Sequence, residues 1–277
     1  MKGDISIINN GHLRGTSLQA LIEESPEALL GTKVYKQFGK DFPLLIKFID
    51  AAQDLSIQVH PNDELAKKRH NSFGKTEMWY IMDSAPEASI IIGFNRDVTQ
   101  EEYQQYLSEK TLTQLLNYEK ISRGDMFFIP AGKIHAIGAG VLLAEIQQTS
   151  DITYRVYDFD RKDKNGNYRE LHTEEALEAI DFKKRDDFRN FYEKIENQPN
   201  LAVASPYFTT SFLKITQPTS FELSKDSFHI YIVVEGDGSL LYEDYEISIK
   251  KGDSVLVPAY CNEITLKGNL EMLEVHC

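Results

Sequence analysis

One eight-residue pattern occurs twice in this chain, and it constrains the fold more than any other feature. Gly124-Asp125-Met126-Phe127-Phe128-Ile129-Pro130-Ala131 returns as Gly252-Asp253-Ser254-Val255-Leu256-Val257-Pro258-Ala259. Upstream of each copy lies an aromatic-rich strand, Trp79-Tyr80-Ile81-Met82 and Tyr231-Ile232-Val233-Val234. Two copies of one β unit explain this most economically.

The segments around the repeat agree with a β protein. Residues 44–49, 55–59, 77–82, 89–93, 126–129 and 141–148 read as strands. Between them Thr99-Gln100-Glu101-Glu102 is a capping box, and Tyr103, Tyr106, Leu107, Leu112, Leu115 and Leu116 follow at helical spacing. Beyond Pro206 the pattern is almost purely short strands at regular spacing, which suggests a closed barrel or a jelly roll. At the front, residues 4–9 read as a strand and residues 16–24 as a short helix. Ser25-Pro26-Glu27 then starts a second helix that Gly31 stops. Residues 173–180 form another helix, and residues 183–200 a polar connector.

Composition narrows the functional classes. The 277 residues carry 30 basic and 43 acidic side chains, a net charge of −13, which argues against nucleic acid as a partner. An anionic ligand would need local lysines and arginines to overcome that field. Cys261 and Cys277 are too few for a disulfide framework, and no apolar run approaches the roughly 20 residues of a membrane helix. No leader pattern opens the sequence, so a cytoplasmic protein with no membrane partner is expected.

The chemistry concentrates in three segments. In Leu55-Ser56-Ile57-Gln58-Val59-His60-Pro61, strand alternation puts Leu55, Ile57 and Val59 on one face and Ser56, Gln58 and His60 on the other. Glu77 heads the strand in Gly74-Lys75-Thr76-Glu77-Met78-Trp79-Tyr80, and His135 follows the Pro130-Ala131-Gly132 turn. Two imidazoles, a carboxylate and a weaker oxygen donor suit zinc with an open coordination position. Taken singly, each residue has a bland reading: a satisfied polar histidine, a surface Lys75–Glu77 pair, an uninformative glutamine. The other five histidines (His12, His70, His172, His229 and His276) fit no such pattern and read as structural.

The first copy of the repeat, Gly124-x5-Pro130-x-Gly132-x2-His135, resembles the second motif of cupins, small jelly-roll barrels. In the second copy Glu263 takes the place of His135, so that barrel is expected to keep the fold without the metal. The expected fold is therefore mainly β, two cupin-like jelly-roll barrels with a helical insertion and short connecting helices. The catalytic domain is placed at residues 1–200, with the insertion near 98–118, and the second domain at 201–277.

Over nearly its whole length the chain resembles the type I phosphomannose isomerases in their short bacterial form. The resemblance is densest between Pro43 and Arg161, in Pro43-Leu44-Leu45-Ile46-Lys47, Ser56-Ile57-Gln58-Val59-His60-Pro61, Gly74-Lys75-Thr76-Glu77-Met78-Trp79-Tyr80, Pro130-Ala131-Gly132-Lys133-Ile134-His135-Ala136, and the run from Glu145 to Arg155. It implies that Gln58, His60, Glu77 and His135 hold one Zn2+ per chain. It further implies that Ser56, Lys47 and Lys75 contact a sugar phosphate, and that Arg155, Asp151 and Glu145 form the catalytic side. As a strand, the stretch from Asp151 would carry Asp151, Thr153 and Arg155 on one face.

Interconverting mannose 6-phosphate and fructose 6-phosphate moves a proton between C1 and C2 through an enediol(ate). That needs a base, a stabiliser for the developing oxyanion and a phosphate anchor. The base is Glu145 or a zinc-bound water. Family members open with an additional segment containing a Trp-Gly pair, which gives the alternative of a catalytically silent sugar-phosphate-binding cupin. Separately, His60, Glu77 and His135 as a facial triad give an iron-dependent cupin oxygenase, against which Gln58 as a fourth ligand counts. Monomer and homo-oligomer are both compatible with the sequence.

Overall fold

The computed structural model describes residues 5–277. Three short helices come first: α1 (Leu18–Glu24), α2 (Pro26–Leu30) and α3 (Thr32–Phe38). Ser17 caps α1 by accepting from the Ala20 N–H, and the proline at the start of α2 marks its first turn. Of the strand expected at 4–9, Asp4 lies outside the described residues, and Ile5 to Asn9 form no strand beyond a bridge from Ile7 to Ser17.

The chain then runs through strands β1 (Leu44–Ala51) and β2 (Ile57–Val59), helix α4 (Asp63–His70), and strands β3 (Glu77–Ser84) and β4 (Ser89–Phe94). Helix α5 (Gln100–Ser108) follows, then β5 (Leu116–Lys120), β6 (Met126–Ile129), β7 (His135–Ile137), β8 (Val141–Gln148) and β9 (Tyr154–Tyr157), helix α6 (Thr173–Ala179) and β10 (Arg189–Asn190). These strands form two antiparallel five-stranded sheets, ordered β1-β8-β3-β6-β10 and β5-β4-β7-β2-β9. Residues 44–191 make up one compact unit.

Its two apolar layers explain why polar side chains point inward near the site. Between the sheets lie Trp79, Ile81, Phe127, Ile129 and Leu143 from one and Ile90, Ile92 and Ile137 from the other. The outer face of the second sheet is also apolar: Ile57, Val59, Tyr154 and Val156 pack under Tyr103 of α5, Leu112, Leu115 and Ala176 of α6. Each such buried aliphatic side chain contributes about 1.5–3 kcal/mol. With the helices taking the apolar face of β2 and β9, the alternation turns Gln58 and Arg155 to the inner face.

The insertion differs in detail from its periodicity. The capping box is formed, with Thr99 and Glu102 exchanging hydrogen bonds. Helix α5 nevertheless stops at Ser108, and Lys110 takes a left-handed φ of 59°. Leu112–Leu115 is a 3-10 turn, and Leu116 begins β5. Leucines at helical spacing were needed there to fill the layer above β2, whichever backbone carries them.

The second unit joins residues 192–277 to the described residues of 1–43, not the 201–277 expected from sequence. Its strands are β11 (Asn200–Ala204), β12 (Thr209–Ile215), β13 (Thr219–Glu222), β14 (His229–Tyr242), β15 (Tyr245–Lys250), β16 (Ser254–Val257) and β17 (Glu263–His276), one antiparallel sheet. The front helices belong here because their backbone completes this unit's hydrogen bonds. Phe228 N donates to Leu30 O at 3.0 Å, Ala259 N to Leu29 O at 3.0 Å, and Thr32 N to Lys225 O at 3.1 Å. Such long-range backbone pairs leave no trace in local sequence patterns.

The repeat is structural. Gly124 N donates to Ile81 O and Ile81 N to Asp125 O, while Gly252 N donates to Val233 O and Val233 N to Asp253 O. Asp125 Oδ2 accepts from Ser122 N, as Asp253 Oδ2 accepts from Lys250 N. Both glycines are left-handed, at φ 89° and 90°, and β3 and β14 carry a bulge at the same place. Among the described residues no helix is long and apolar enough to cross a membrane.

Two glycines of the second unit separate backbone strain from collision. At Gly252 a Cβ would meet nothing within 4 Å, so Gly252→Ala should cost only its positive φ, about 1–2 kcal/mol. At Gly236 (φ +82°) a Cβ would fall 1.9 Å from Asn269 O, inside the β14–β17 ladder. Gly236→Ala should therefore lower the denaturation midpoint clearly more than Gly252→Ala; equal shifts would contradict this packing.

Candidate active site

The inner faces of the two sheets bring the candidate ligands together at one end of the 44–191 unit. Gln58 lies on β2, His60 just beyond it and His135 at the head of β7, all from the second sheet, while Glu77 heads β3 of the first. Strand pairing sets Gln58 opposite both His135 and Arg155. The turn before β7 is tied to the other ligand strand by Gly132 N donating to His60 O at 2.9 Å.

Glu77 is fully buried; neither oxygen accepts a well-directed hydrogen bond, and Lys75 Nζ forms an ion pair with Oε2 at 3.1 Å. His60 Nε2 lies 3.5 Å from Oε2 and His135 Nε2 3.4 Å from Oε1. Ligands at about 2.0–2.1 Å around a tetrahedral zinc stand about 3.3–3.4 Å from one another, so these separations fit a first-row divalent ion. His60 Nδ1 sits 2.9 Å from Ile152 O and His135 Nδ1 2.8 Å from Lys133 O. Each Nδ1–H therefore donates to a carbonyl, which leaves the Nε2 lone pair facing Glu77, the usual arrangement of a metal-bound histidine.

Electrostatics point the same way. Burial pushes His60 well below the ordinary histidine range and His135 down to about 4, so both imidazoles are neutral at pH 7. Burial, followed by the neighbouring Glu145, pushes Glu77 up to about 7. Neutral imidazoles around a buried carboxylate whose anion is disfavoured are what a bound cation would suit. Gln58 Nε2 lies 3.3 Å from His135 Nε2. Turning its amide over would bring Oε1, the donor a metal accepts, to that point.

Lys75 is buried in the same cluster, with Nζ 3.1 Å from both His60 Nε2 and Glu77 Oε2. A second network adjoins it. Lys47 Nζ reaches Glu145 Oε1 at 2.8 Å and Gln147 Oε1 at 2.6 Å, and Trp79 Nε1 donates to Glu145 Oε2 at 3.1 Å. Burial disfavours the Glu145 anion, but Lys75, Lys47 and Trp79 together hold its pKa below the usual carboxylate value. Ser56 is buried immediately ahead of β2.

The expected strand from Asp151 is shorter than its alternation implied. It begins at Tyr154, so Asp151 and Thr153 lie in the preceding loop. Asp151 is exposed and does not join the buried cluster. Arg155 is on β9, half-buried, with its Nε free of hydrogen bonds and Nη1 donating to Glu170 O at 2.9 Å. Beyond it a concavity of about 250 Å³ is lined by Lys110, Tyr157, Asp158, Asp160, Arg161, Tyr168, Arg169 and Leu171. Buried Asp158 holds both Arg161 and Arg169 there. Sequence reading missed Trp79 and Gln147 as parts of the network around Glu145 and Lys47, and the Asp158–Arg169 pair of the concavity. A tryptophan within a core strand signals the first, since its N–H needs an acceptor when buried.

Comparison with known proteins places the chain in a family. Residues 3–94 match the family model described as phosphomannose isomerase type I, catalytic domain, and residues 199–277 match mannose-6-phosphate isomerase, cupin domain. The chain is 38% identical to mannose-6-phosphate isomerase ManA of Bacillus subtilis over 98% of its own length and 85% of that protein. It is 32% identical to a mannose-6-phosphate isomerase of Streptococcus mutans, over 98% and 84% respectively. The crystal structure of a Bacillus subtilis mannose 6-phosphate isomerase superimposes with a TM-score of 0.88 at 35% identity, covering 99% of this chain and 86% of that one.

Proposed function

The chain belongs to the type I phosphomannose isomerase family, and on that footing we propose that it interconverts mannose 6-phosphate and fructose 6-phosphate with one Zn2+ per chain. Gln58, His60, Glu77 and His135 would hold the ion. The observation that carries the reading is the buried Glu77 carboxylate, flanked by two neutral imidazoles at a metal's ligand spacing, with the Lys75 ammonium as the cation now beside it. A nitrogen–oxygen donor set without thiolate suits zinc with an open position. When bound, the ion supplies a Lewis acid for the sugar oxygens.

The chain's own residues account for the rest of the chemistry. Glu145, kept ionised by its cationic neighbours, takes the proton from C2 of the open-chain aldose and returns it to C1, while the hydroxyl proton passes from O2 to O1, giving the ketose. Arg155 faces the enediolate oxygen that develops between these two events, as a donor that is always charged. The concavity lined by Lys110, Arg161 and Arg169 receives the phosphate, its three cations set against the two acids Asp158 and Asp160 that pair with them. Lys47 and Lys75 lie nearer the reacting end, tied to Glu145, His60 and Glu77, with Ser56 at the sugar.

Metal analysis combined with a coupled assay on mannose 6-phosphate tests this reading. The expected result is one zinc per chain, turnover lost on chelation, and turnover regained when zinc is added back. Full turnover by metal-free protein would sink the zinc assignment. Thermal stabilisation by fructose 6-phosphate with no turnover, in the zinc-loaded protein, would select the silent sugar-phosphate-binding cupin instead.

A further inference from the structure

We propose that His172 is a positioning residue for Arg155, an inference that rests on the catalytic role given to Arg155 above. Arg155 stands on β9, a four-residue strand at the edge of its sheet. An edge strand leaves outward backbone groups without a ladder partner, and these must be satisfied elsewhere or fray. Here the Arg155 N–H donates to His172 Nδ1 at 3.1 Å, and the His172 N–H donates back to the Arg155 carbonyl at 2.8 Å. The pair reproduces the two reciprocal bonds of an antiparallel ladder, with an imidazole nitrogen in place of one carbonyl.

The same short stretch also holds the other end of Arg155, since Glu170 O accepts from Nη1 at 2.9 Å. It is itself tethered one residue earlier, where Arg169 grips Asp158 through two nitrogens, Nε at 2.7 Å. His172 is the cap residue of α6 yet makes no side-chain capping bond. A cap side chain ordinarily turns back to the first helical N–H groups; this one turns to Arg155. An arginine has four flexible side-chain torsions, and misplacement of a catalytic group by about 1 Å costs about 100-fold in rate. The clasp removes that freedom at the backbone and the guanidinium together.

The test is steady-state kinetics on the zinc-loaded full chain for His172→Leu, His172→Asn, Arg155→Ala and the double variant Arg155→Ala/His172→Leu. Asparagine places an acceptor oxygen one bond beyond Cγ, as Nδ1 is placed, so it can keep the bond. His172→Leu should lower kcat about 10- to 100-fold with KM changed less than about threefold. His172→Asn should restore kcat to within about threefold of the parent, and His172→Leu should add no further loss once Arg155 is gone. An equal loss from His172→Leu with and without Arg155 would overturn the inference, as would failure of asparagine to rescue. A normal kcat for Arg155→Ala would remove the role of Arg155 itself, a distinct outcome that takes the inference with it.

Discussion

Glu77→Gln should reduce kcat/KM by about 1,000-fold or more and leave well under one metal ion per chain. A metal acting as Lewis acid contributes several kcal/mol to the transition state, and about 4 kcal/mol is about three powers of ten. Glutamine keeps the shape of the side chain and removes the charge that stands 3.4–3.5 Å from both imidazoles. The fold should survive, because burial and Glu145 already push this carboxylate up to about 7 despite the Lys75 ammonium, and Lys75 keeps Glu145 as a neighbouring anion. Metal content, turnover and melting temperature measured on one preparation separate loss of the site from loss of the protein. Retained zinc with parental turnover would show that the ion is held elsewhere.

Glu145→Gln should lower kcat by about 100- to 10,000-fold with little change in KM, the range for removing a positioned general base. The substitution leaves one acceptor oxygen for the Trp79 N–H, while Lys47 keeps Gln147 Oε1 as its partner. Structural loss is thereby kept small, and the lost function is proton transfer. Exchange of the C2 hydrogen of the aldose with solvent should fall in parallel with turnover. A kcat within tenfold of the parent would assign the proton to another base.

That the candidate ligands come together was legible because it depends on strand alternation, a strictly local property. Gln58 and His60 share a face as any residues two apart do, and a glutamate heading one strand with a histidine following a proline turn completes the group. The network behind it was hidden for the opposite reason. Nothing near Glu145 in sequence points to Lys47 or Trp79; register alone, Lys47 and Trp79 both opposite Glu145, makes them neighbours. Helix α4 also escaped notice, since its one buried residue, Ala66, gives no apolar stripe. Its signals are electrostatic and local: Asn62 as cap, acids first and bases last. The reach of Asp151 was overestimated because alternation says which way a strand residue points, not where the strand begins.

The internal repeat offers a built-in control for reading the site. In the second unit Tyr231 stands opposite Glu274 as Trp79 stands opposite Glu145, and the Tyr231 hydroxyl donates to Glu274 at 3.1 Å. His229 occupies the place of Glu77, two residues before that aromatic, and lies 3.0 Å from Glu274 through Nδ1. Among the described residues, however, only His60, Glu77 and His135 cluster closely enough to hold a metal. An aromatic donor on a buried glutamate is therefore a habit of this scaffold, present with or without ligands beside it. What distinguishes Glu145 is Lys47, a cation on the neighbouring strand where Ser211 faces Glu274. The chain thus tells apart what its architecture inherits from what its chemistry adds.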